Sequence, residues 1–394
     1  MAYAPGKLLP LDAELIASQM VSGLLPFPYK KLYLKVPRWY FANLQKSTCV
    51  AISYKPYIRQ LKHSKGRNRV RAAIANTPWG FDGKELSLVV GLRTHTDIDL
   101  LTDHFTEESR MAANVRSFPS PIEAWRDTEI ALSIATTAVT YGQKMGGVAP
   151  YHLREASYAQ VPECTLFKIS LAAAIYKFFQ AKVVLDPFAG WGDRGLGAAG
   201  AGVVKYIGLD PNPTLVPGHK KIIKFLSSVA PETCLKYRSI PVEEYGPGEF
   251  AEDFEKEPPT LVFSSPPFHD YEIYSKDALQ SVAAGKNTQL DGWLIDWFFP
   301  ALDRVWGALA PGGNLALYLT DANGEVTTPL CKHMELRKRP FRGVIACRRG
   351  KKRPIPLWVW QKSFDKPVEV PAAESSLEAY VIYLLTQIYA ELSD

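Results

Sequence analysis

From about residue 160 onward, the chain alternates between strand-like and helix-like patterns of apolar residues. Short runs rich in β-branched residues are separated by longer segments whose apolar residues recur at helical spacing. The predicted strands are 182–187, 204–210, 236–243, 260–268 and 313–321, and the main predicted helices are 164–179, 214–228 and 293–309. Strands that alternate with helices form βαβ units, so this half is predicted to be an α/β fold with a parallel sheet.

The end of the chain departs from this alternation. Residues 341–362 are typical of two strands joined by a charged turn, and residues 372–392 are typical of a closing helix. The two strands would add a hairpin to the edge of the parallel sheet.

The first 150 residues have a weak and mixed periodicity. They predict a helix over 103–115 and another over 120–139 that begins near Ser120, but no architecture. A stretch that contains Pro and Gly, 141–153, is the candidate boundary. We therefore predict an N-terminal accessory, substrate-recognition region over 1–150 and a larger domain over 151–394.

Length and composition indicate a globular protein. A chain of 394 residues suggests about two domains, and its 47% apolar and 12% aromatic residues provide a sizeable core. The first thirty residues lack a basic start followed by an apolar core, so we expect an intracellular protein, cytoplasmic or nuclear, with no membrane partner. Five widely spaced cysteines without a CxxC pair predict a reducing compartment and no metal site.

The net charge of +6 is unevenly distributed. Residues 332–353 hold ten Lys and Arg against one Glu, and residues 59–71 hold six and no acid, so the rest of the chain is acidic. Concentrated positive charge attracts polyanions, because each phosphate that is neutralised releases counterions. A solvated loop is the alternative for either segment alone, and two such segments favour nucleic acid as a partner.

A glycine-rich turn follows the first predicted strand of the alternating half. Its sequence, DPFAGWGDRG from Asp186 to Gly195, fits GxGxxG, and Asp210 ends the next strand. A dinucleotide site and a tight turn without a ligand are both possible readings of the glycines. Asp186 at the strand end would repel a pyrophosphate but attract an ammonium group. This favours S-adenosylmethionine, which carries an ammonium and a sulfonium, over NAD.

A second motif, SSPPF, lies at the end of the fourth predicted strand and ends at Phe268. With both motifs present in this order, residues 160–362 resemble the nucleic-acid amino-methyltransferases, whose cofactor loop reads DPFxGxG and whose catalytic loop reads [D/N/S]PP[Y/F/W]. The resemblance implies a Rossmann-like class I methyltransferase sheet of seven strands. In that sheet strand seven is antiparallel and lies between strands five and six. Here an additional N-terminal mixed domain precedes it.

The resemblance also implies roles for residues that bind S-adenosylmethionine. Asp186 would hold the amino group, directly or through water, and Asp210 would hold the ribose hydroxyls. Glu243 would hold the adenine amine, although Glu244 is adjacent and cannot be separated from it. Gly190 and Gly192 would let the backbone approach the ligand. The remaining residues implied at this site are Phe188 and Ala189 in the loop, and Phe167 and Ser170 in a poor match to the motif near the methionine carboxylate.

The catalytic loop would act on an exocyclic amine, whose lone pair is delocalised into the base. Ser265 Oγ and the carbonyl of Pro266 would accept hydrogen bonds from the two N–H groups of the amine. Pro266 and Pro267 would stiffen the loop, and Phe268 would stack on the base. A base in a duplex would first have to flip out. The following residues Asp270, Glu272 and Tyr274 either line the base pocket or only begin the next element.

The target base stays open between adenine N6 and cytosine N4, in DNA or RNA. Serine at the first position of the loop is commoner in enzymes that act on cytosine, whereas the motif order is usual for adenine enzymes, and we lean slightly to adenine. Two alternatives are an inactive nucleic-acid-binding subunit and a methyltransferase for a protein amide. Intact loops argue against the first, and the basic segments argue against the second.

The basic turn between the last two predicted strands is the candidate nucleic-acid contact. In the sheet implied by the resemblance, strand six runs parallel to strand one, so this turn would emerge at the carboxyl edge beside both motifs. The residues concerned are Arg348, Arg349, Lys351, Lys352 and Arg353.

Overall fold

The computed structural model describes most of the chain between Leu8 and Phe364. The described residues are 8–30, 37–46, 49–52, 77–84, 87–90, 96–255, 257–267, 269, 271–275, 279–281, 289–319, 324–348 and 354–364. Met1–Lys362 form one compact unit and Ser363–Asp394 a second. The domain boundary predicted near residue 150 lies inside the first unit and stays a prediction. The helix predicted over 372–392 lies outside the described residues.

The strands are numbered in chain order. They are β1 (Cys49–Ile52), β2 (Gly80–Phe81), β3 (Ser87–Val90), β4 (Asn114–Val115), β5 (Val183–Asp186), β6 (Lys205–Leu209), β7 (Cys234–Arg238), β8 (Leu261–Ser264), β9 (Glu272–Ile273), β10 (Asn314–Tyr318), β11 (Phe341–Arg348) and β12 (Ile355–Gln361). The strands predicted in the alternating half and the hairpin at its end are therefore present.

The helices are numbered in the same way. They are α1 (Ala13–Val21), α2 (Pro37–Lys46), α3 (Asp103–Met111), α4 (Pro121–Arg126), α5 (Thr128–Gly142), α6 (Pro150–Gln160), α7 (Ile169–Phe178), α8 (Asp193–Ala201), α9 (Val216–Val229), α10 (Pro247–Phe254), α11 (Leu290–Gly292), α12 (Phe299–Ala308) and α13 (Thr327–Leu336). A π-helical segment, Trp293–Phe298, connects α11 to α12. None of the described helices is long and apolar enough to cross a membrane.

Nine strands form one sheet in the order β1-β3-β11-β12-β10-β8-β5-β6-β7. Strands β5, β6, β7, β8 and β10 run parallel to one another, and β12 is antiparallel to both of its neighbours, β10 and β11. The seven strands from β11 to β7 have the order and directions of a class I methyltransferase sheet. The predicted fold is confirmed, with β5 in the place of the first strand and β12 in the place of the antiparallel seventh.

The N-terminal region is mixed and extends this sheet. Strand β3 pairs in parallel with β11, and β1 pairs antiparallel with β3, so two strands are added beyond the hairpin. Helices α1, α4, α5 and α6 share a separate apolar cluster that includes Ile16, Trp125 and Ile134. The N-terminal residues thus contribute both to the edge of the sheet and to a helical layer of their own.

The central strands are buried along their whole length. Every residue of β5 and β8 is buried, as expected for parallel strands covered by helices on both faces. Helices α7 and α8 pack closely on this part of the sheet, because α8 is rich in glycine and alanine. Because α7 precedes β5 and α8 follows it, the N-terminal ends of both helices lie at the carboxyl edge of the sheet.

The helix predicted over 164–179 begins later, at Ile169. The backbone N–H of Thr165 donates to Glu272 Oε1 at 3.1 Å, which ties this segment to β9. Residues 165–168 are left without helical structure before α7, beside the carboxyl edge of the sheet.

Candidate functional site

A cavity opens at the carboxyl ends of the parallel strands. Its wall contains residues that follow β5, β6 and β8, the last residue of β10, and residues from the segment before α7. The main contributors are Thr165, Phe167, Lys168, Phe188, Gly190, Trp191, Asp193, Asp210, Glu243, Ser265, Pro267, Glu272, Tyr274, Gln280, Trp297 and Tyr318. In open α/β sheets this edge is where ligands bind.

The loop between β5 and α8 is fixed by side chains that bind its backbone carbonyls. Three consecutive carbonyls each accept a hydrogen bond from a different element. The pairs are His219 Nε2 to Gly190 O at 2.9 Å, Thr106 Oγ1 to Trp191 O at 2.9 Å, and Tyr237 OH to Gly192 O at 3.1 Å. Burial lowers the pKa of His219 to about 4, so this imidazole is neutral and its Nε2 carries the donated proton.

The two glycines of this loop have different roles. Gly190 lines the cavity with φ +56°, whereas Gly192, with φ +98°, does not line it. A Cβ on Gly192 would meet Ile222 Cδ1 at 2.6 Å and the Tyr237 hydroxyl at 3.2 Å. Gly192 is therefore required by packing inside the protein and by its left-handed backbone, rather than by approach to a ligand. Ala189 is also buried and away from the cavity.

Asp186 lies behind the cavity wall, which differs from its predicted contact with the cofactor. Its carboxylate is fully buried and is satisfied by protein donors. These donors are Arg194 Nε at 2.8 Å, the Tyr206 hydroxyl at 2.6 Å, Ser264 Oγ at 2.6 Å and the Phe188 backbone N–H at 3.3 Å. The carboxylate thus joins β5, β6, β8 and α8 at the edge where the cavity opens.

Asp193 is the acid of this loop that reaches the cavity wall. It is 2% exposed, and among the described residues its Oδ1 has no hydrogen-bond partner. Burial raises the pKa of Asp193 to about 7, an effect that the Thr102 hydroxyl and the Arg194 charge partly oppose. A buried carboxylate oxygen without a donor is costly, so this position favours a cationic or hydrogen-bonding ligand.

Asp210 lies on the cavity wall as predicted for the second acid. Its Oδ2 accepts the Gly190 N–H and its Oδ1 accepts the Asn212 N–H, both at 2.9 Å. Each carboxylate oxygen has a second lone pair, so both remain able to accept a ligand hydroxyl. Burial raises the pKa of Asp210 to about 6, although these two backbone donors favour its ionised form.

Glu243, and not the adjacent Glu244, lines the cavity. Its Oε2 accepts a hydrogen bond from Trp297 Nε1 at 3.0 Å, and the Trp297 ring lies 5.5 Å from that of Phe188. Trp297 belongs to the π-helical segment, a type of irregularity that is frequent at functional sites. Two aromatic rings and a carboxylate therefore form one end of the cavity.

The segment before α7 contributes Phe167 and Lys168 to the cavity. Lys168 Nζ lies 4.0 Å from Asp99 Oδ2, and its side chain is 32% exposed. Ser170 does not line the cavity, because it is buried in α7 with its backbone N–H donated to Asp99 Oδ1. Of the two residues predicted here, only Phe167 is at the site.

The predicted catalytic loop meets the same cavity. Ser265 and Pro267 line it, whereas Pro266 is buried. Ser264, the preceding serine, points to a different environment and is bound to Asp186. Phe268 lies outside the described residues.

The residues after this loop form a second part of the wall. Glu272 and Tyr274 line the cavity, and the Tyr274 hydroxyl donates to Glu272 Oε2 at 2.6 Å. Gln280 is 8% exposed and, within the described part of the chain, its Nε2 has no hydrogen-bond partner. Asp270 lies outside the described residues.

The structure describes only part of the two basic segments. Strand β11 runs parallel to β3 and antiparallel to β12, so it ends at Arg348 on the carboxyl edge, and Ile355 at the start of β12 lines the cavity. Arg349, Lys351, Lys352 and Arg353 lie outside the described residues, and so do residues 59–71. No group of His, Cys, Asp and Glu that could hold a metal ion occurs among the residues that the structure describes.

Several residues of the cavity were missed by the sequence reasoning, among them Lys168, Asp193 and Trp297. Lys168 is adjacent to Phe167, and its charge beside a predicted site was a usable signal. Asp193 follows Gly192 directly, but the sequence did not show that Asp186 would pair with Arg194 inside the protein. Trp297 had no signal, because a π-helical segment does not change the apolar periodicity in a recognisable way.

Solved structures of methyltransferases match about half of this chain. TrmN from Thermus thermophilus is 18% identical over 50% of this chain and 49% of its own, with a TM-score of 0.34. An rRNA methylase from Streptococcus thermophilus is 15% identical over 51% of this chain and 99% of its own, with a TM-score of 0.30. A methyltransferase from Pyrococcus furiosus is 14% identical over 51% and 86%, with a TM-score of 0.35.

The match thus spans about half the length of TrmN. At these identities and TM-scores the strand order remains the basis of the fold assignment, and the activities of these proteins are not transferred to this chain. No protein-family model matches the sequence. No curated protein matches it either.

Proposed function

We propose that this protein transfers a methyl group from S-adenosylmethionine to the exocyclic amine of a nucleic-acid base. The observation that carries the proposal is that the loop of Gly190 and the loop of Ser265, far apart in sequence, line one cavity. The first loop follows the strand that begins the class I sheet, and the second follows its fourth strand.

The polar groups of the cavity fit the parts of S-adenosylmethionine. Asp210 would accept the ribose hydroxyls, and Glu243 with Trp297 and Phe188 would enclose the adenine. Lys168 would pair with the carboxylate. Asp193, whose Oδ1 has no partner among the described residues, would hold the ammonium in place of Asp186. Both ends of the amino-acid part would then meet an opposite charge.

The catalytic loop would prepare the amine for attack. Ser265 Oγ and the Pro266 carbonyl would accept hydrogen bonds from its two N–H groups and would direct the nitrogen lone pair to the sulfonium methyl. When bound, S-adenosylmethionine would supply the methyl group to the amine nitrogen and leave as a neutral thioether with the electron pair of the broken carbon–sulfur bond. The methylated nitrogen would lose one proton to solvent. Positioning for in-line transfer provides most of the remaining acceleration.

The proposed substrate is DNA or RNA, with adenine N6 favoured over cytosine N4. The basic segment 59–71 and the basic turn at the end of 332–353 support a polyanionic substrate, because the remainder of the chain carries net negative charge. Lys332, Arg337, Arg339 and Arg342 of the second segment pair with carboxylates of the protein itself. The order of the two loops along the chain supports adenine. We also propose that the region over 1–150 takes part in substrate recognition.

The test is methylation of separate DNA and RNA pools with labelled S-adenosylmethionine, followed by mass spectrometry of the nucleosides. We expect label in a methylated adenine or cytosine from one of the pools. Calorimetry with S-adenosylmethionine and with NAD tests the cofactor separately. Binding of NAD alone would overturn the cofactor assignment, and binding of S-adenosylmethionine without labelled nucleosides would overturn the substrate.

Two adjacent serines provide a matched pair of variants. Ser265→Ala should lower kcat by about 100-fold, as for loss of one hydrogen bond that acts in the transition state, and should leave cofactor affinity unchanged. Ser264→Ala removes the bond to Asp186 and should lower the free energy of unfolding by about 1–3 kcal/mol. Equal loss of cofactor binding in Ser265→Ala would make that loop structural.

A further inference from the structure

A short two-stranded ribbon joins the N-terminal region to the catalytic loop. Strand β4 pairs antiparallel with β9, with Asn114 opposite Ile273 and Val115 opposite Glu272. Strand β9 comes directly after the loop of Ser265, and Glu272 is part of the cavity wall. The ribbon is therefore continuous with the rim at which a target base would enter.

Arg116 and Tyr271 extend this ribbon toward solvent. The Arg116 N–H donates to the Tyr271 carbonyl at 2.9 Å, and the guanidinium lies 4.4 Å from the centre of the Tyr271 ring. Arg116 has φ +53°, a left-handed conformation that is costly for a side chain with a Cβ. The hydrogen bond to the Tyr271 carbonyl and the contact with the Tyr271 ring support this conformation of Arg116.

The turn that follows Arg116 is held by several polar contacts. Asn114 Nδ2 donates to the Phe118 carbonyl at 3.2 Å and to Glu123 Oε2 at 2.8 Å, and Ser120 and Glu123 form a capping box at the start of α4. Despite this support, Phe118 is 49% exposed and Tyr271 is 42% exposed. The turn is thus preorganised, yet it presents aromatic rings to solvent.

We propose that Arg116, Phe118 and Tyr271, here called the ribbon surface, contact the nucleotides next to the target base. This inference rests on the proposed function and extends it to a substrate-binding surface. Exposed aromatic faces stack on unpaired bases, and a guanidinium stacked on a ring keeps its in-plane N–H groups for phosphate or base edges. Within the part of the chain that the structure describes, no carboxylate pairs with Arg116.

A nucleic acid fits this surface better than a protein does. The surface is small and combines one cation with two aromatic rings. Glu272, the residue after Tyr271, lies on the wall of the cavity that contains Ser265. A base that is drawn into the cavity leaves its neighbours unstacked, and the ribbon surface supplies rings at the place where those neighbours would lie.

The test uses three variants of the full-length protein and one control. Arg116→Gly removes the guanidinium but keeps the positive φ, and Phe118→Ala and Tyr271→Ala each remove one ring. Tyr158→Ala removes a ring that is 60% exposed on α6, outside the ribbon surface, and is the control. Fluorescence anisotropy with short single-stranded oligonucleotides over a salt series measures affinity, and calorimetry measures binding of S-adenosylmethionine.

We expect each ring variant to weaken oligonucleotide binding by about 5- to 100-fold, the effect of losing one stacked base. Arg116→Gly should reduce the slope of log K against log salt by about 0.7 if it neutralises one phosphate. Affinity for S-adenosylmethionine, and every property of Tyr158→Ala, should match the wild type.

The outcomes separate this inference from the proposed function. If the three variants bind oligonucleotides as the wild type does and still methylate nucleic acid, the proposal for the ribbon surface is overturned and the proposed function stands. Wild-type protein that binds oligonucleotides without methylating them, with binding lost in the variants, would support the ribbon surface and overturn the proposed function. Absence of any nucleic-acid binding by the wild type would overturn both.

Discussion

At the scale of single residues, two buried acids flank the loop between β5 and α8, with Asp186 at the end of the strand and Asp193 at the start of the helix. Asp186 is buried against Arg194, Tyr206 and Ser264, whereas Asp193 is buried at the cavity with an oxygen that lacks a donor among the described residues. Their sequence positions favoured Asp186 as the ligand contact, because a strand-end acid is the usual site. Only the placement of Arg194 and Tyr206 shows that Asp186 is bound inside the protein, whereas Asp193 lies on the cavity wall.

The raised pKa of Asp193 predicts a pH-dependent stability. Burial raises this pKa from the ordinary 3.8 to about 7, so the folded protein holds the proton more tightly than the unfolded chain. The free energy of unfolding should therefore fall as pH rises from about 4 to 7. In Asp193→Asn this contribution is absent, and the variant should gain stability relative to wild type as pH rises through that window.

Urea denaturation of both proteins at a series of pH values measures this difference. Asp210, whose pKa is raised to about 6, titrates in both proteins and cancels in the comparison. A stability difference that does not change between pH 5 and pH 8 would show that Asp193 keeps an ordinary pKa.

At the scale of elements, the packing of α7 on α8 sets the position of the cavity wall. A Cβ added to Gly197 of α8 would meet Ala172 Cβ at 2.6 Å, the Ile169 carbonyl at 2.9 Å and the Ala173 nitrogen at 3.1 Å. Two of these neighbours are backbone atoms of α7 and cannot move independently. Since α7 begins directly after Lys168, a shift of this helix would also move the wall of the cavity.

Gly197→Ala is therefore predicted to destabilise the protein by about 1–3 kcal/mol, the usual cost of overpacking. Gly248 in α10 is the matched control, because a Cβ there would meet nothing within 4 Å. Gly248→Ala should be neutral or stabilising by up to about 1 kcal/mol, since alanine favours a helix over glycine. Thermal denaturation compares the two variants, and equal effects would show that the helices can separate to accommodate a methyl group.

Elements buried on both faces were predictable from the sequence, and elements set by side-chain contacts were not. The β-branched run of β5 and the apolar run of β8 indicated buried strands, and both are present. The helix predicted over 120–139 is divided, because Asp127 accepts the N–H groups of Glu129 and Ile130 and caps a new helix. These local bonds compete with a continuous helix, and apolar periodicity does not report them.

At the scale of the whole molecule, the N-terminal region supports the site from two sides. Strands β1 and β3 extend the sheet beyond β11, and α3 binds the loop after β5 through Thr106. This arrangement could not be predicted, because the periodicity before residue 150 is weak and pairing between distant strands leaves no local signal. The predicted accessory region thus shares a sheet with the rest of the chain.

The direction of β11 leads to a prediction about the basic turn after it, which lies outside the described residues. Strand β11 ends at the carboxyl edge, and β12 starts at Ile355 on the cavity wall. We predict that Arg348, Arg349, Lys351, Lys352 and Arg353 hold phosphates flanking the target base, because the two strands that this turn joins end and start at the carboxyl edge of the sheet. A hairpin tip without substrate contact is the alternative.

Replacement of all five residues by Gln should reduce the slope of log K against log salt for nucleic-acid binding by about 0.7–0.9 per lost phosphate contact. Binding of S-adenosylmethionine should stay unchanged, because none of its predicted contacts is in the turn. Gln at Lys220, Lys221 and Lys224, exposed lysines of α9 that do not line the cavity, is the control for general loss of charge. If the turn residues contact phosphates directly, each of them should change the slope more than each lysine of the control does. An equal change of slope per charge in both variants would mean that the turn acts only through net charge.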